Sequence, residues 1–193
     1  MKAFSLADHF SSHSHVVDRA LKTLQQPAEA IARALVLALK EGHKVLTFGN
    51  GGSAAQASHL AAELLGRFAA TRQPFPAVAL ASDPGTVTCI SNDFGYDQIF
   101  ERQIQALAQA GDVAIGFTTS GRSANVNLGL AMAQKRGAIA IALTGSAGLA
   151  EGTADLMLAI PSDSTAHVQE MHLMLLHVWC AYIDEVLGDI KKV

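Results

Sequence analysis

Three stretches of the chain concentrate residue types that can do chemistry. Gly49-Asn-Gly-Gly-Ser53 and Thr119-Ser-Gly-Arg-Ser123 are polar glycine turns, each preceded by a short apolar run and followed by a helical stretch. In a parallel sheet such turns lie at the carboxyl ends of strands, where helix N-termini aim free N–H groups and a partial positive charge at an anion. Around the second turn, Thr118, Thr119, Ser120 and Ser123 supply hydroxyls and Gly121 permits close approach of the backbone, which suits a phosphate. Neither turn is a Walker A loop, which needs a Lys before its Ser or Thr, and neither has the G-x-G-x-x-G pattern of a dinucleotide site. Hydroxyls that only cap their helices would explain the same residues without a ligand.

The helix after the first turn carries His59 and Glu63. Four residues apart, they lie about 40° apart around the axis and one turn along it, so both face the same way. Such a pair can chelate a metal or transfer protons, and an exposed i,i+4 contact is the plainer alternative. Near the end, Gln169, Glu170, His172 and His177 interrupt an otherwise apolar segment. A core imidazole bonded to backbone accounts for His172. His177, set among Leu175, Leu176, Val178 and Trp179, needs a polar partner, because burying an unsatisfied imidazole is costly.

These residues have to be positioned by a chain of 193 residues, half of them hydrophobic and 16% charged, which is the composition of a compact globular protein and excludes disorder. A net charge of −3 leaves no overall basic surface for nucleic acid. Two cysteines make neither a disulfide framework nor a paired metal motif, which points to a reducing compartment. Met1 to Phe10 contain no signal-peptide core, and runs such as Ala138 to Leu143 are far short of the roughly 20 residues of a membrane helix. A soluble cytoplasmic protein is therefore expected. Its apolar character with only 6% aromatics suggests buried subunit interfaces.

Phe4 to Lys40 lacks Gly and repeats apolar positions at helical spacing, so two helices are expected, meeting near Gln26 and Pro27, with Gly42 closing the second. Strands are expected at Val45 to Phe48, Ala77 to Ala81, Val113 to Thr118, Ala138 to Leu143 and Leu156 to Ile160. Helical stretches lie between them at Ala54 to Phe68, Tyr96 to Gln109 and Ala124 to Arg136, with a poorly defined stretch from Ser146 to Thr153 and a long closing helix from His167 to Leu187. The pattern is α/β: one domain, helical over residues 1–43 and α/β over 44–193, with a five-stranded parallel sheet covered on both faces.

The combination of GNGGSAAQASHLAAELLGR (49–67), SND (91–93), TTSGRSANV (118–126), LTG (143–145) and QEMHLMLLH (169–177) resembles the bacterial sedoheptulose 7-phosphate isomerases, which are single sugar-isomerase (SIS) domains. The resemblance runs from about Lys44 to the end, and the helical prologue also suits the family. It implies conversion of sedoheptulose 7-phosphate to the glycero-manno-heptose 7-phosphate, the first step toward the ADP-heptose of lipopolysaccharide. It also implies that Asn50, Gly51, Gly52, Ser53, Asn92, Asp93 and Gln169 contact the sugar phosphate and that Thr118, Thr119, Ser120 and Ser123 cradle its phosphate. Glu63 and His177 would be the acid/base pair, with Glu63 also touching substrate, and His59, Glu63, Gln169 and His177 the ligands of one zinc ion per subunit. Thr118 stands where the family pattern has Ser, and Ala166 where some members have Asp.

Two non-catalytic readings compete. An SIS-domain protein that binds a replication-initiator partner would keep the first glycine loop and the Gln-Glu-Met-His segment but lack the acid/base pair, which this chain has. A sugar-phosphate sensor would carry a DNA-binding domain, for which no length remains. The family also implies a homotetramer with active sites between subunits. Geometry supplies a separate reason: Gln169 and His177 lie about 12 Å apart along a straight helix and about 80° apart around it, a long span for two ligands of one metal. A site at a subunit boundary, with His59 and Glu63 meeting part of a neighbour's closing helix, removes that difficulty, and the expected assembly is a tetramer whose site is completed across an interface.

Overall fold

A computed structural model describes residues 5–188. Two helices, α1 (Leu6–Thr23) and α2 (Gln25–Lys40), precede an alternation of β1 (Val45–Gly49), α3 (Gly52–Leu65), β2 (Ala77–Ala79), α4 (Pro84–Phe94), a 3-10 turn (Tyr96–Gln98), α5 (Ile99–Leu107), β3 (Val113–Thr118), α6 (Ala124–Lys135), β4 (Ile139–Thr144), β5 (Leu156–Ala159) and α7 (Thr165–Leu187). The five strands form one parallel sheet in the order β2-β1-β3-β4-β5. Strand order reverses between β1 and β3, which is where open α/β sheets form a ligand crevice at the carboxyl ends of their strands.

Period-two alternation divides the strand side chains between two cores. Val45, Val113, Ile115, Phe117, Ile141 and Leu143 face the layer holding α2, α3 and α7, together with Leu60, Leu64 and Trp179. Leu46, Phe48, Ala114, Ala140 and Ala142 face the other layer, with Phe100, Ile104, Val126 and Leu130. Burial on both faces explains why the strands read as continuous apolar runs. The helical prologue is part of the first core: Val16, Ala20, Ile31 and Leu35 are buried in it, and Trp179 Nε1 donates to the Ala28 carbonyl at 3.0 Å.

Most expected elements are present, with shifted ends. The first two helices break at Leu24 rather than at Gln26 and Pro27, and Pro27 falls in the first turn of α2, where a missing N–H costs nothing. Phe4, the expected start of α1, lies outside the described residues. The stretch from Ser146 to Thr153 forms turns, not a helix, and Tyr96 to Gln109 divides into the 3-10 turn and α5. Helix α4 was not expected at all. Its signals are Asp83, whose carboxylate accepts from the N–H groups of Gly85 and Thr86, and Pro84 at the first helical position. Periodicity is silent there because α4 has no buried residue.

Candidate active site

The two glycine turns meet at the carboxyl ends of β1 and β3, which pair in register from Val45 with Val113 to Gly49 with Phe117. Their side chains interlock. Asn50 Nδ2 donates to Asn125 Oδ1 and Asn125 Nδ2 to Asn50 Oδ1, both at 2.9 Å, and the Tyr96 hydroxyl donates to Asn50 Oδ1 at 2.8 Å. Asn125 and Tyr96 were not among the residues selected from sequence. Asn125 lies inside the quoted TTSGRSANV motif, but nothing in that motif reveals that it pairs with a residue 75 positions away.

Capping does not account for the hydroxyls of the second turn. Ser123 occupies the N-cap of α6 yet makes no side-chain cap bond; its Oγ accepts from Thr118 Oγ1 at 3.3 Å. Ser120 Oγ accepts from the Arg122 N–H at 3.2 Å. Gly121 has φ +69°, and a Cβ there would stand 2.1 Å from the Gly148 carbonyl oxygen, so only glycine lets this loop fold against the turn after β4. Gly51, the N-cap of α3, has no side chain to offer, and Ser53 is buried directly behind it. Neither N-cap residue, Gly51 of α3 nor Ser123 of α6, thus caps its helix with a side chain at the mouth of one crevice, although the Val126 N–H in the first turn of α6 donates to Asn125 Oδ1 at 2.9 Å; N–H groups left free at such a place are what holds a phosphate.

Helices α3 and α7 pack side by side in the same direction, Gly52 against Gln169 and, two turns on, His59 against His177. His59 Nε2 lies 3.0 Å from Glu63 Oε1 and 3.3 Å from His177 Nε2, and one donor atom from each residue falls within 4.8 Å of the others. His177 also stacks on Phe68, ring centroids 5.5 Å apart. The polar partner that His177 requires is therefore His59 of the same chain, and the neighbour's helix invoked from spacing is not needed to bring it there. His172 is fully buried, with Nε2 3.3 Å from the Thr144 carbonyl oxygen, and burial pushes its pKa down to about 4. It is a neutral core residue.

Gln169 stays apart from this cluster. Its side-chain amide sits where a Cβ on Gly52 would meet Nε2 at 2.6 Å, and its backbone carbonyl accepts from Gln56 Nε2 at 2.5 Å. Two turns of α7, about 12 Å, separate it from His177. Asn92 and Asp93 lie exposed on α4 and bond to each other at 2.8 Å, with the Cys89 thiol 3.7 Å from Asp93. The structure gathers Asn50, Ser53, Thr118, Thr119, Ser120 and Ser123 at the crevice and His59, Glu63 and His177 on the α3/α7 seam, while the hydrogen bonds of Asn92 and Asp93 run within α4.

Sequence reasoning also missed what holds Glu63. Arg72 is fully buried, its Nε donates to Asp184 Oδ1 at 2.6 Å, and its remaining nitrogens reach the carbonyls of Glu63 and Leu64 at 2.8 and 3.0 Å. The Asp184 carboxylate also accepts from the N–H groups of Ala69 and Ala70. Burial raises its pKa, but these donors outweigh burial and hold the carboxyl below its ordinary value. The thiol of Cys180, beneath the cluster, is pushed up to about 12 by burial, with the Glu63 charge adding to the rise.

A parallel sheet with an anion crevice at its switch point and an imidazole–carboxylate cluster beside it defines a sugar-isomerase type of α/β domain, and residues 8–145 match the family model described as SIS domain. The chain is 49% identical over 160 residues to the phosphoheptose isomerase of Aquifex aeolicus, covering 82% of this chain and 84% of that one. It is 42% identical over 185 residues to the enzyme of that name from Aliarcobacter butzleri, covering 95% and 98%. The structure of a phosphoheptose isomerase from Francisella tularensis superposes with a TM-score of 0.89 at 35% identity, covering 93% of this chain and 96% of that one. The chain belongs to the phosphoheptose isomerase family of SIS-domain proteins.

Proposed function

We propose that this protein is the aldose–ketose isomerase that converts sedoheptulose 7-phosphate to D-glycero-D-manno-heptose 7-phosphate, feeding ADP-heptose and lipopolysaccharide synthesis. The observation that carries the reading is the convergence of His59, Glu63 and His177 on the seam that leads from two uncapped helix N-termini. Seven residues of α3 separate Gly52 from His59, a rise of about 10 Å. That spacing suits an extended sugar with its phosphate at one end and its carbonyl near the other. The same convergence argues against the replication-initiator alternative, which would have no use for an acid/base pair.

Isomerisation requires a base to take the proton from C1 of the ketose while the electron pair moves into a C1–C2 double bond and O2 gains a proton. The resulting ene-diol then loses the O1 proton and gains one at C2. Glu63 serves as the carbon base, and the His177 imidazole moves a proton between the two oxygens. Thr119, Ser120, Ser123 and the first N–H groups of α3 and α6 hold the phosphate, with Asn50, Gly51, Gly52, Ser53, Thr118 and Gln169 lining the way to it.

The donor set of His59, Glu63 and His177 fits a zinc ion: two imidazole nitrogens and one carboxylate oxygen are already gathered. When bound, such an ion polarises the carbonyl and stabilises negative charge on oxygen. Gln169 joins this set only from another chain, which accords with a homotetramer having its sites between subunits. The exposed apolar side chains of Leu21, Met174, Val178 and Tyr182 along α1 and α7 support assembly on that side. Two free cysteines accord with the cytoplasm, and no described helix is long and apolar enough to cross a membrane.

The test is turnover of sedoheptulose 7-phosphate followed as aldose formation. Glu63→Gln keeps the volume and removes the base, and kcat is expected to fall 10²–10⁴-fold, the usual worth of a general base. Near-normal turnover in both Glu63→Gln and His177→Gln would end the assignment.

A further inference from the structure

The proposed reaction leaves Glu170 unused, although it stands beside Gln169 and accepts from more than one imidazole. Its Oε1 lies 2.9 Å from His9 Nε2, and its Oε2 lies 2.9 Å from His167 Nδ1 and 2.8 Å from His13 Nδ1. His9 and His13 stand four residues apart on α1, and His167 and Glu170 three apart on α7, so each pair occupies one face of its helix and the two faces meet. The His167 ring lies 4.7 Å from that of His9 and 5.5 Å from that of His13, centroid to centroid. Among the described residues, only His9, His167 and Glu170 here and the group on the α3/α7 seam bring three such donors within 4.8 Å of one another, and His13 adjoins the first group through Glu170.

Hydrogen bonding does not fully account for the arrangement. The buried His13 Nδ1 is close to Glu170 Oε2 but not aligned for a hydrogen bond, and it has no other hydrogen-bond partner. An imidazole nitrogen that approaches a carboxylate without sharing a proton is placed as one ligand stands beside another. The neighbouring group completes the pattern: Ser12 Oγ lies 3.0 Å from His167 Nε2, so the nitrogen of His167 that faces away from Glu170 has its own partner, the usual support of a ligating histidine. Around a tetrahedral zinc with bonds of about 2.1 Å, ligand atoms stand about 3.4 Å apart. The separations of 2.8 and 2.9 Å between Glu170 and the three imidazoles reach that value with movements of roughly half an ångström, and His13, whose donors do not all fall within 4.8 Å of those of His9 and His167, closes the set by a further turn of its side chain.

We propose that His9, His13, His167 and Glu170 form a second divalent transition-metal site, a three-histidine, one-carboxylate set suited to zinc, which clamps α1 onto the first turns of α7. Four protein ligands close the coordination sphere, so the site is structural rather than catalytic. His9 and Glu170 keep more than a third of their side-chain surface open, which gives an ion a way in. The metal ties the helical prologue to the end of α7 that carries Gln169. The site does not depend on the isomerase reading.

The experiment uses the full chain with His59→Gln and His177→Gln, so that the seam cluster cannot bind and no activity is read. Titration with Co²⁺ is expected to give one equivalent per chain with the visible ligand-field bands of tetrahedral cobalt, and chelator is expected to lower the melting temperature of the loaded protein. Adding His9→Gln should weaken Co²⁺ binding at least about tenfold, and adding both His9→Gln and His13→Gln should abolish the bands while circular dichroism stays unchanged. Unaltered cobalt spectra and affinity in the His9→Gln chain would overturn the proposal, and so would the absence of bound cobalt in the folded parent of that series.

Discussion

Helix α7 contributes to two carboxylate–imidazole clusters, one shared with α1 and one with α3, and they differ in how much of the carboxylate is already engaged. Glu170 lies within 2.9 Å of three imidazoles, two of which bond to it; burial raises its pKa, but the bonds from His167 and His9 outweigh burial and keep the carboxyl below its ordinary value. Glu63 meets a single imidazole, His59, and His177 turns to His59 rather than to the carboxylate. A carboxylate that must take a proton from carbon needs a free lone pair, whereas one that fastens two helices is better saturated. The supports differ as well. Glu170 is held by its own partners, while Glu63 is held from behind through the Arg72–Asp184 pair.

Removing that support should have the largest effect. Arg72→Met leaves the Asp184 carboxylate buried without its cation and is expected to cost about 3–5 kcal/mol in urea unfolding, with kcat falling because the carbonyls of Glu63 and Leu64 lose their donor. His13→Gln in the other cluster should cost less than about 1 kcal/mol in metal-free protein. Equal losses in the two variants would erase the contrast. Acid sharpens it. Because the folded pKa of Asp184 lies below the unfolded value of about 3.9, its contribution is present above that value and lost as pH falls through the folded pKa. A melting-temperature series into acid should therefore show a steeper loss in the parent than in Arg72→Met. The smallest effect is expected from Gly52→Ala, whose methyl would displace the Gln169 amide, the flexible end of a side chain. Stability should stay within about 1 kcal/mol while kcat/KM drops about tenfold, some 1.4 kcal/mol; an unchanged kcat/KM would remove Gln169 from the substrate path.

How far the sequence reaches can be read from particular residues. The parallel sheet was legible because its strands are buried on both faces and so appear as short apolar runs, and the crevice because glycine turns follow two of them. Helix α4 was missed because it buries nothing, even though Asp83 and Pro84 mark its start. The His59–Glu63 pair is visible as an i,i+4 spacing, but whether His177 meets it from the same chain stays open in the sequence, because spacing along α7 says nothing about which face of α3 lies alongside. Arg72 and Asp184 are 112 residues apart, as Asn50 and Asn125 are 75 apart, and no local pattern links either pair. Glu170 stands out only as one polar residue in an apolar run; the histidines that surround it come from a helix as much as 161 residues earlier in the chain and from the preceding turn of its own.

The reciprocal pair of Asn50 and Asn125 has a consequence for the pH response of the whole site. Each side chain gives one hydrogen bond to the other and takes one from it, and neither can gain or lose a proton in the physiological range. The contact that joins the two glycine loops is therefore made by neutral amides and does not itself depend on pH. An aspartate at either position could only accept, and would bring a negative charge to the mouth of a crevice built for an anion. Under the proposed function, affinity for the phosphate then follows the ionisation of the ligand rather than of the residues that join the loops.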